Sequence, residues 1–402
     1  MKASIRRLLP ADPASRDLAG LCAMVTVCFA SWTMSAPLTP LLLLSLGAPP
    51  SLLGVVIGAG TIGSLLVAVP GGRIVGAWGS GRMMRRAIAL SGASTLIPAL
   101  FPSIPGLFVA LLLMEIGKLL FILGAQAHVG GLGPGRDINL DYGWYSTAAA
   151  VGQLFGPLAA GLIIDAAGHR TAWIVISALA LLVAAALPRF VSNIVVPGAD
   201  SAVDADGKRK GIGHYLNAYT VMAILASFAV LFADGARTTF LPVLMTERGY
   251  TATAIGFFLS LRALVSMSVR LFMGKFIGLA GGRWPALIAS IFVMAVGIGM
   301  TPLCDGYLLL ALNAAVVGVG LGLAIPLSMA TVSEGAAPED RGVVMGIRLS
   351  GNRLAQLINP VFFGLIAQGF GLSLAFAAGG TLLAVCAVPI ALWSRRGTAK
   401  TE

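Results

Sequence analysis

Six basic side chains, Lys118, Arg237, Arg262, Arg270, Arg348 and Arg353, stand inside stretches otherwise apolar enough to cross a bilayer, against two acids there, Glu115 and Asp234. A charge at bilayer depth costs about 3 kcal/mol even on insertion scales, so it calls for a partner, a water-filled cavity or a ligand. The two acids leave a surplus of four positive charges for water or an anionic ligand to compensate. Arginine suits carboxylates and phosphates because its planar fork makes two parallel hydrogen bonds. The chemistry expected of this set is the holding of an anion, a carboxylate-bearing or siderophore-like metabolite rather than a cationic drug.

Spacing sorts the set further. Glu115 and Lys118 are three residues apart on one helix face. They are either a mutual pair needed for insertion and packing, or a substrate anchor (Lys118) beside a protonatable group (Glu115). Asp234 and Arg237 repeat the arrangement, and are read as an ion pair closing one mouth of the protein or as substrate contacts, with Asp234 a proton-coupling acid and Arg237 a gating cation. Arg262 falls near mid-depth, and Arg270 nearer the membrane surface, where it can snorkel. Arg348 and Arg353 are five apart, roughly 140° around a helix, so one face does not present both. Arg353, the deeper, joins Lys118 and Arg262 as an anion-binding candidate, and Arg348 joins Arg270 as a gating one. Trp32, Tyr145, Gln153 and Gln356 are expected to line the rest of the site. Gln126, His128, Asn313, Asn352 and Asn359 are further polar residues inside spans, more often used for packing or interhelical hydrogen bonds.

The elements that must position these residues follow from composition. Of 402 residues, 57% are hydrophobic and 11% charged, which excludes a water-soluble domain of this length. Apolar runs of about 20 residues, the length that crosses a bilayer core, occur at 18–43, 52–75, 83–102, 106–129, 144–166, 171–191, 217–245, 253–277, 284–303, 306–330, 342–368 and 372–394. We number these spans 1 to 12. A cytoplasmic arm at 1–17, six-helix bundles at 18–191 and 217–394, a solvated linker at 192–216 and a tail at 395–402 complete the expected division. No apolar core with a small-residue cleavage site precedes span 1, so no cleaved signal is expected.

Lys and Arg are distributed unevenly between alternate connections. The side holding both termini and the linker collects nineteen, and the other only Arg170 and Arg248. The positive-inside rule then puts both termini and the linker in the cytoplasm of a bacterial-type inner membrane. The halves also repeat at an offset of about 202 residues. Gly72-Arg73-Ile74-Val75-Gly76-Ala77-Trp78-Gly79 after span 2 matches Gly274-Lys275-Phe276-Ile277-Gly278-Leu279-Ala280-Gly281 after span 8. In span 5, Gly143, Gly152, Gln153, Pro157 and Gly161 match Gly346, Ala355, Gln356, Pro360 and Gly364 of span 11. Paired halves of this kind enclose a midplane site and alternate its access.

Twelve spans, a six-plus-six repeat and glycine-basic loops after spans 2 and 8 resemble the major facilitator superfamily across nearly the whole chain. The resemblance implies an all-α membrane protein, two pseudo-symmetric six-helix bundles, and gating roles for Gly72, Arg73, Gly79, Gly274, Lys275 and Gly281. Gly76 and Gly278 stand where that family usually has Asp, so its interdomain charge lock is not expected in its usual form. Gly143, Gly152, Gly156, Pro157 and Gly161 resemble the antiporter motif of drug and metabolite exporters, which implies efflux. The plain alternative is that these small residues only pack span 5.

The expected function is proton-coupled efflux of an anionic or zwitterionic metabolite by a monomer using no cofactor. Uptake of an organic anion, multidrug efflux and a transport-dead sensor stand as alternatives. An intramembrane enzyme is disfavoured by three His and no HExxH or GxSxG, ATP drive by the lack of a phosphate loop, and nucleic acid binding by the apolar composition. Cys22, Cys28, Cys304 and Cys386 lack metal-ligand spacing and read as packing residues. The orientation has a direct test: single cysteines placed in 192–216 should react with an impermeant thiol reagent only in inverted vesicles, and labelling from the opposite side would reverse the assignment.

Overall fold

Backbone N–H and C=O groups find no water in hydrocarbon, so the apolar runs of this chain satisfy them internally as helices. The computed structural model describes residues 12–133, 137–195, 218–335 and 341–398. The side chains of a few helical residues, Gly72 and Arg73 among them, lie outside the description, as do the arm before residue 12, the linker beyond residue 195 and the end of the tail.

Spans 1 to 4 are α1 (Pro13–Ser45), α2 (Pro50–Trp78), α3 (Ser80–Leu100) and α4 (Ile104–Gly130). Spans 5 and 6 are the two limbs of α5 (Ile138–Phe190), broken at Gly168. Spans 7 and 8 are α6 (Ala218–Glu247) and α7 (Ala252–Leu271), followed by the short α8 (Met273–Leu279). Spans 9 and 10 are α9 (Arg283–Met300) and α10 (Tyr307–Gly335), and α11 (Arg341–Thr398), broken at Gly371, supplies spans 11 and 12. Among the described residues nine helical stretches are long and apolar enough to cross a membrane, two of them holding two limbs each. Span 3, which carries Arg82, Arg85 and Arg86, makes the twelfth.

The repeat is written into the backbone. Gly47, Gly79 and Gly168 have φ of 73°, 78° and 80°, and Gly249, Gly281 and Gly371 have 78°, 77° and 85°. Each pair is separated by the sequence offset, and each marks a reversal of chain direction that a side chain with a Cβ would strain. Local signals set other boundaries. The Ser103 hydroxyl accepts from Gly106 N at 3.2 Å to start α4, and Thr251 accepts from Ala254 N at 3.2 Å to start α7.

The chain divides into two compact units, 1–42 with 59–201 and 43–58 with 202–402. In unit 1, spans 1 and 5 meet backbone to backbone. A Cβ on Gly152 would stand 2.7 Å from Phe29 Cβ and 2.8 Å from Ala30 N, and one on Gly156 would stand 2.5 Å from Ala30 O. The Thr26 hydroxyl spans the seam to Ala148 O at 3.1 Å. In unit 2, span 7 meets span 11 with Gly235 under the Asn359 side chain and Asn359 Nδ2 donating to Phe232 O at 2.6 Å. Residues 43–58 bring Gly54 to this unit, where an added Cβ would stand 2.8 Å from the Pro360 carbonyl carbon. Around span 11, Phe232, Phe240 and Phe376 cluster on Phe363, with ring centroids 5.5 to 5.8 Å apart.

Lipid gives helices no hydrophobic reason to associate, so close approach of small residues carries these seams. Gly152→Leu should therefore lower the thermal unfolding temperature of the purified protein more than Gly143→Leu, because Gly143 has nothing within 4 Å of an added Cβ. The overpacking cost expected at Gly152 is about 1–3 kcal/mol. Equal effects at the two positions would refute the seam.

Candidate functional site

A cation inside a lipid-spanning bundle is defined by whatever answers its charge, and the six resolve into separate arrangements within each unit. In unit 1, Lys118 Nζ is bonded to Glu115 Oε1, with 28% and 17% of the two side chains exposed. Trp32 lies one helix away with little freedom: its Nε1 donates to Ser91 Oγ at 2.9 Å, and its ring meets Phe29 and Phe121 edge-on at 5.4 Å. Tyr145 is buried and Gln153 half-buried on span 5, beside the glycine seam.

In unit 2 the expected pair on span 7 does not form. Asp234 Oδ1 is bonded to Arg262 Nη1 of span 8, so the acid reaches across to the neighbouring helix rather than one turn along its own. Arg237 turns the other way. Its side chain is fully buried, its Nη1 donates to Asn313 Oδ1 at 2.5 Å, and its Nε and Nη2 have no hydrogen-bond partner among the described residues. Asn313 is held in place by donating from Nδ2 to Gly297 O at 2.7 Å. The reading of Arg237 as the partner of Asp234 is thus corrected. Helical spacing makes the two neighbours, but packing against spans 9 and 10 draws the guanidinium into the bundle.

Arg348 and Arg353 diverge as their spacing requires. Arg348, 2% exposed, donates from Nη1 to Ser227 Oγ at 2.9 Å and Ser328 Oγ at 3.3 Å, tying spans 7, 10 and 11 inside the unit. Arg353 is half-buried and donates to Gln356 Oε1 at 3.0 Å. Arg270 is half-buried, with Nε buried and lacking a hydrogen-bond partner. Arg237, Arg270 and Arg353 therefore have no carboxylate partner among the described residues.

The glycine-basic loops show what their glycines are for. Gly79 begins α3 without a side-chain cap of its own, and Asn193 from the start of the linker supplies one by accepting from Arg82 N at 2.9 Å. A Cβ on Gly79 would stand 2.6 Å from both Asn193 side-chain termini, so the glycine admits the cap. Gly281 keeps the matching positive φ, while Gly274 and Gly278 have nothing near an added Cβ. Lys275 lies over the Phe272 ring at 5.7 Å. Gly72 and Arg73 fall where side chains are not described.

Beside this loop lies a polar cluster not foreseen from sequence beyond His128. His128, fully buried, has Nδ1 3.0 Å from Ser80 Oγ and Nε2 3.3 Å from Asp17 Oδ2. The second approach is within ion-pair reach but off the hydrogen-bond line. Asp17 also accepts from Ser192 N at 2.8 Å and from the Ser192 hydroxyl, and Ser80 N donates to Ile194 O at 2.8 Å. Asp17, Ser80, Ser192 and Asn193 thereby fasten the beginning of the linker to unit 1. Their only signal in the sequence is polar residues at span ends, which is not specific.

The family model of the Major Facilitator Superfamily matches residues 21–277 and 223–402. No curated protein matches the chain in sequence. Among solved structures, a bacterial homolog of the human lysosomal transporter Spinster, in an inward-facing and occupied conformation, superposes with a TM-score of 0.79 at 16% identity, covering 96% of this chain and 98% of that one. The nucleoside transporter NupG gives 0.78 at 13% identity, covering 93% and 99%. A POT family transporter in complex with 5-aminolevulinic acid gives 0.73 at 15% identity, covering 94% and 96%. At these identities the likeness is one of fold.

Asn193→Ala should cost about 1 kcal/mol of stability through the lost cap. Gly79→Ala should cost at least as much, and the double variant less than the sum, because both act on one contact. Thermal unfolding of the three variants measures this, and strict additivity would show that Asn193 does not cap α3.

Proposed function

From a chain that belongs to the major facilitator superfamily, and hence from a multi-pass membrane transporter of small molecules rather than an enzyme, we propose proton-coupled efflux of an anionic or zwitterionic organic metabolite. The observation that carries the reading is electrostatic. Arg237, Arg270 and Arg353 lie within spans, wholly or partly buried, with no carboxylate partner among the described residues. Unanswered cations of this kind are costly in a bilayer unless a ligand or water meets them, and a carboxylate-bearing cargo supplies the missing charge directly at Arg353, the half-buried one bonded only to a neutral amide.

In this proposal cargo contact is assigned to Lys118, Gln153, Trp32 and Tyr145 of unit 1 and to Arg262, Arg353 and Gln356 of unit 2. Gln356 steadies Arg353, which keeps its remaining nitrogens for the ligand. Glu115 and Asp234 are the proton-coupling acids: each holds a cation while ionised, so proton release and cargo binding compete for that cation. The span 5 glycines and proline, which resemble the exporter motif, favour efflux. The tight seam at Gly152 and Gly156 is equally what plain packing would use. The monomer works with both termini and the linker in the cytoplasm, the side richer in Lys and Arg.

The test is a thermal-shift series on the purified protein with citrate, succinate, inorganic phosphate and cationic dyes, followed by flux in vesicles of known orientation. An organic anion should stabilise the protein, and Arg353→Gln or Lys118→Gln should weaken that binding roughly tenfold or more. Glu115→Gln should blunt proton-driven flux more than exchange. Stabilisation by cations alone would refute the substrate class, and inward net flux under an inward proton gradient would refute efflux.

A further inference from the structure

We propose that Asp234 is a counter-ion shared by two arginines, held by Arg262 in the arrangement seen here and handed to Arg237 when an anionic group engages Arg262. Three observations carry it. Asp234 lies three residues before Arg237, close enough on one helix face for the two side chains to meet. Yet it is bonded to Arg262 on span 8. Arg237, fully buried, is hydrogen-bonded among the described residues to the neutral Asn313 oxygen alone, its Nε and Nη2 having no hydrogen-bond partner there. One carboxylate is thus bonded to one guanidinium and has a second one turn along its own helix.

Exposure gives the direction of exchange. Asp234 has 31% of its side chain exposed and Arg262 has 11%, so an incoming anion reaches the pair from its open side. Arg237 has no exposed surface and cannot receive a ligand directly. Displaced from Arg262, the Asp234 carboxylate turns about its own side-chain bonds towards Arg237, three residues along the same helix. Each guanidinium then faces one anion, which removes the unanswered charge on Arg237. Arg237 is a positioning residue in this scheme. It lowers the cost of opening the Asp234–Arg262 pair, and Asn313 holds its guanidinium ready. The cargo-driven half of the exchange rests on the anion reading above, whereas the sharing of Asp234 does not.

Infrared spectroscopy of the purified protein at neutral pH tests the sharing without any cargo. The carboxylic acid C=O band of a protonated Asp234 is identified by its loss on adding Asp234→Asn. In Arg262→Gln the carboxylate should pass to Arg237 and stay ionised, so no such band appears. In Arg262→Gln with Arg237→Gln the band should appear. A band in Arg262→Gln alone, or none in the double variant, would overturn the proposal. If Arg262→Gln does not fold, Arg262→Met takes its place. Failure of both to fold while Arg237→Gln folds also counts against sharing, since Arg237 would not have taken the carboxylate. With citrate as probe, Asp234→Asn should tighten binding roughly tenfold, and Arg237→Gln should weaken it only where Asp234 is present. Citrate that binds with no such coupling would overturn the cargo-driven half. Absence of binding by any organic anion would refute the anion reading, leaving the infrared result to decide the sharing.

Discussion

An ionised side chain inside a lipid-spanning bundle must be met by something, and the identity of what meets it governs the organisation of this protein. Lys118 is met by an acid on its own helix and Arg262 by an acid on the next one. Arg348 is met by hydroxyls of two other helices. Arg237 and Arg353 are met by the oxygens of neutral amides. A neutral oxygen orients a guanidinium without cancelling its charge, so the latter two remain electrostatically incomplete while geometrically fixed. Such groups are poised for a ligand or for a carboxylate that moves.

Fixing a charge requires a rigid frame, and in lipid that frame comes from contact rather than from hydrophobic collapse. The seams between spans 1 and 5 and between spans 7 and 11 are of this kind: glycine meets backbone in the first and the Asn359 side chain in the second, and a hydroxyl or amide ties each. Span 11 carries both Arg348 and Arg353, so its seam with span 7 sets how the cations of unit 2 stand relative to Asp234. The same economy appears at the start of span 3, where a glycine without a side chain admits a cap from the far end of unit 1. The linker is thereby fastened at its root by hydrogen bonds instead of by burial.

Much of this was legible in the sequence. Twelve spans, their grouping by six and the offset of the repeat follow from apolar run length and glycine placement. The reversals at Gly47, Gly79 and Gly168 recur at Gly249, Gly281 and Gly371 because only glycine takes that backbone shape cheaply. The divergence of Arg348 from Arg353 also followed from helical geometry. The partner of Asp234 did not. Spacing along one helix names every neighbour within a turn but says nothing of the helix packed alongside, and Arg262 arrives from there. Ser80, Ser227 and Ser328 are not singled out by sequence for a related reason: a serine in an apolar helix can satisfy itself on its own backbone, and only an arriving histidine or guanidinium gives it another role.

By itself, then, the sequence determined the class of the protein, its helices, its repeat and the positive balance of charge within its spans, because these depend on composition and on short-range periodicity. Tertiary structure alone decided which cations are answered and by whom. That choice depends on the distance between atoms far apart in the chain, and a shift of a few ångströms in helix packing exchanges a carboxylate for an amide.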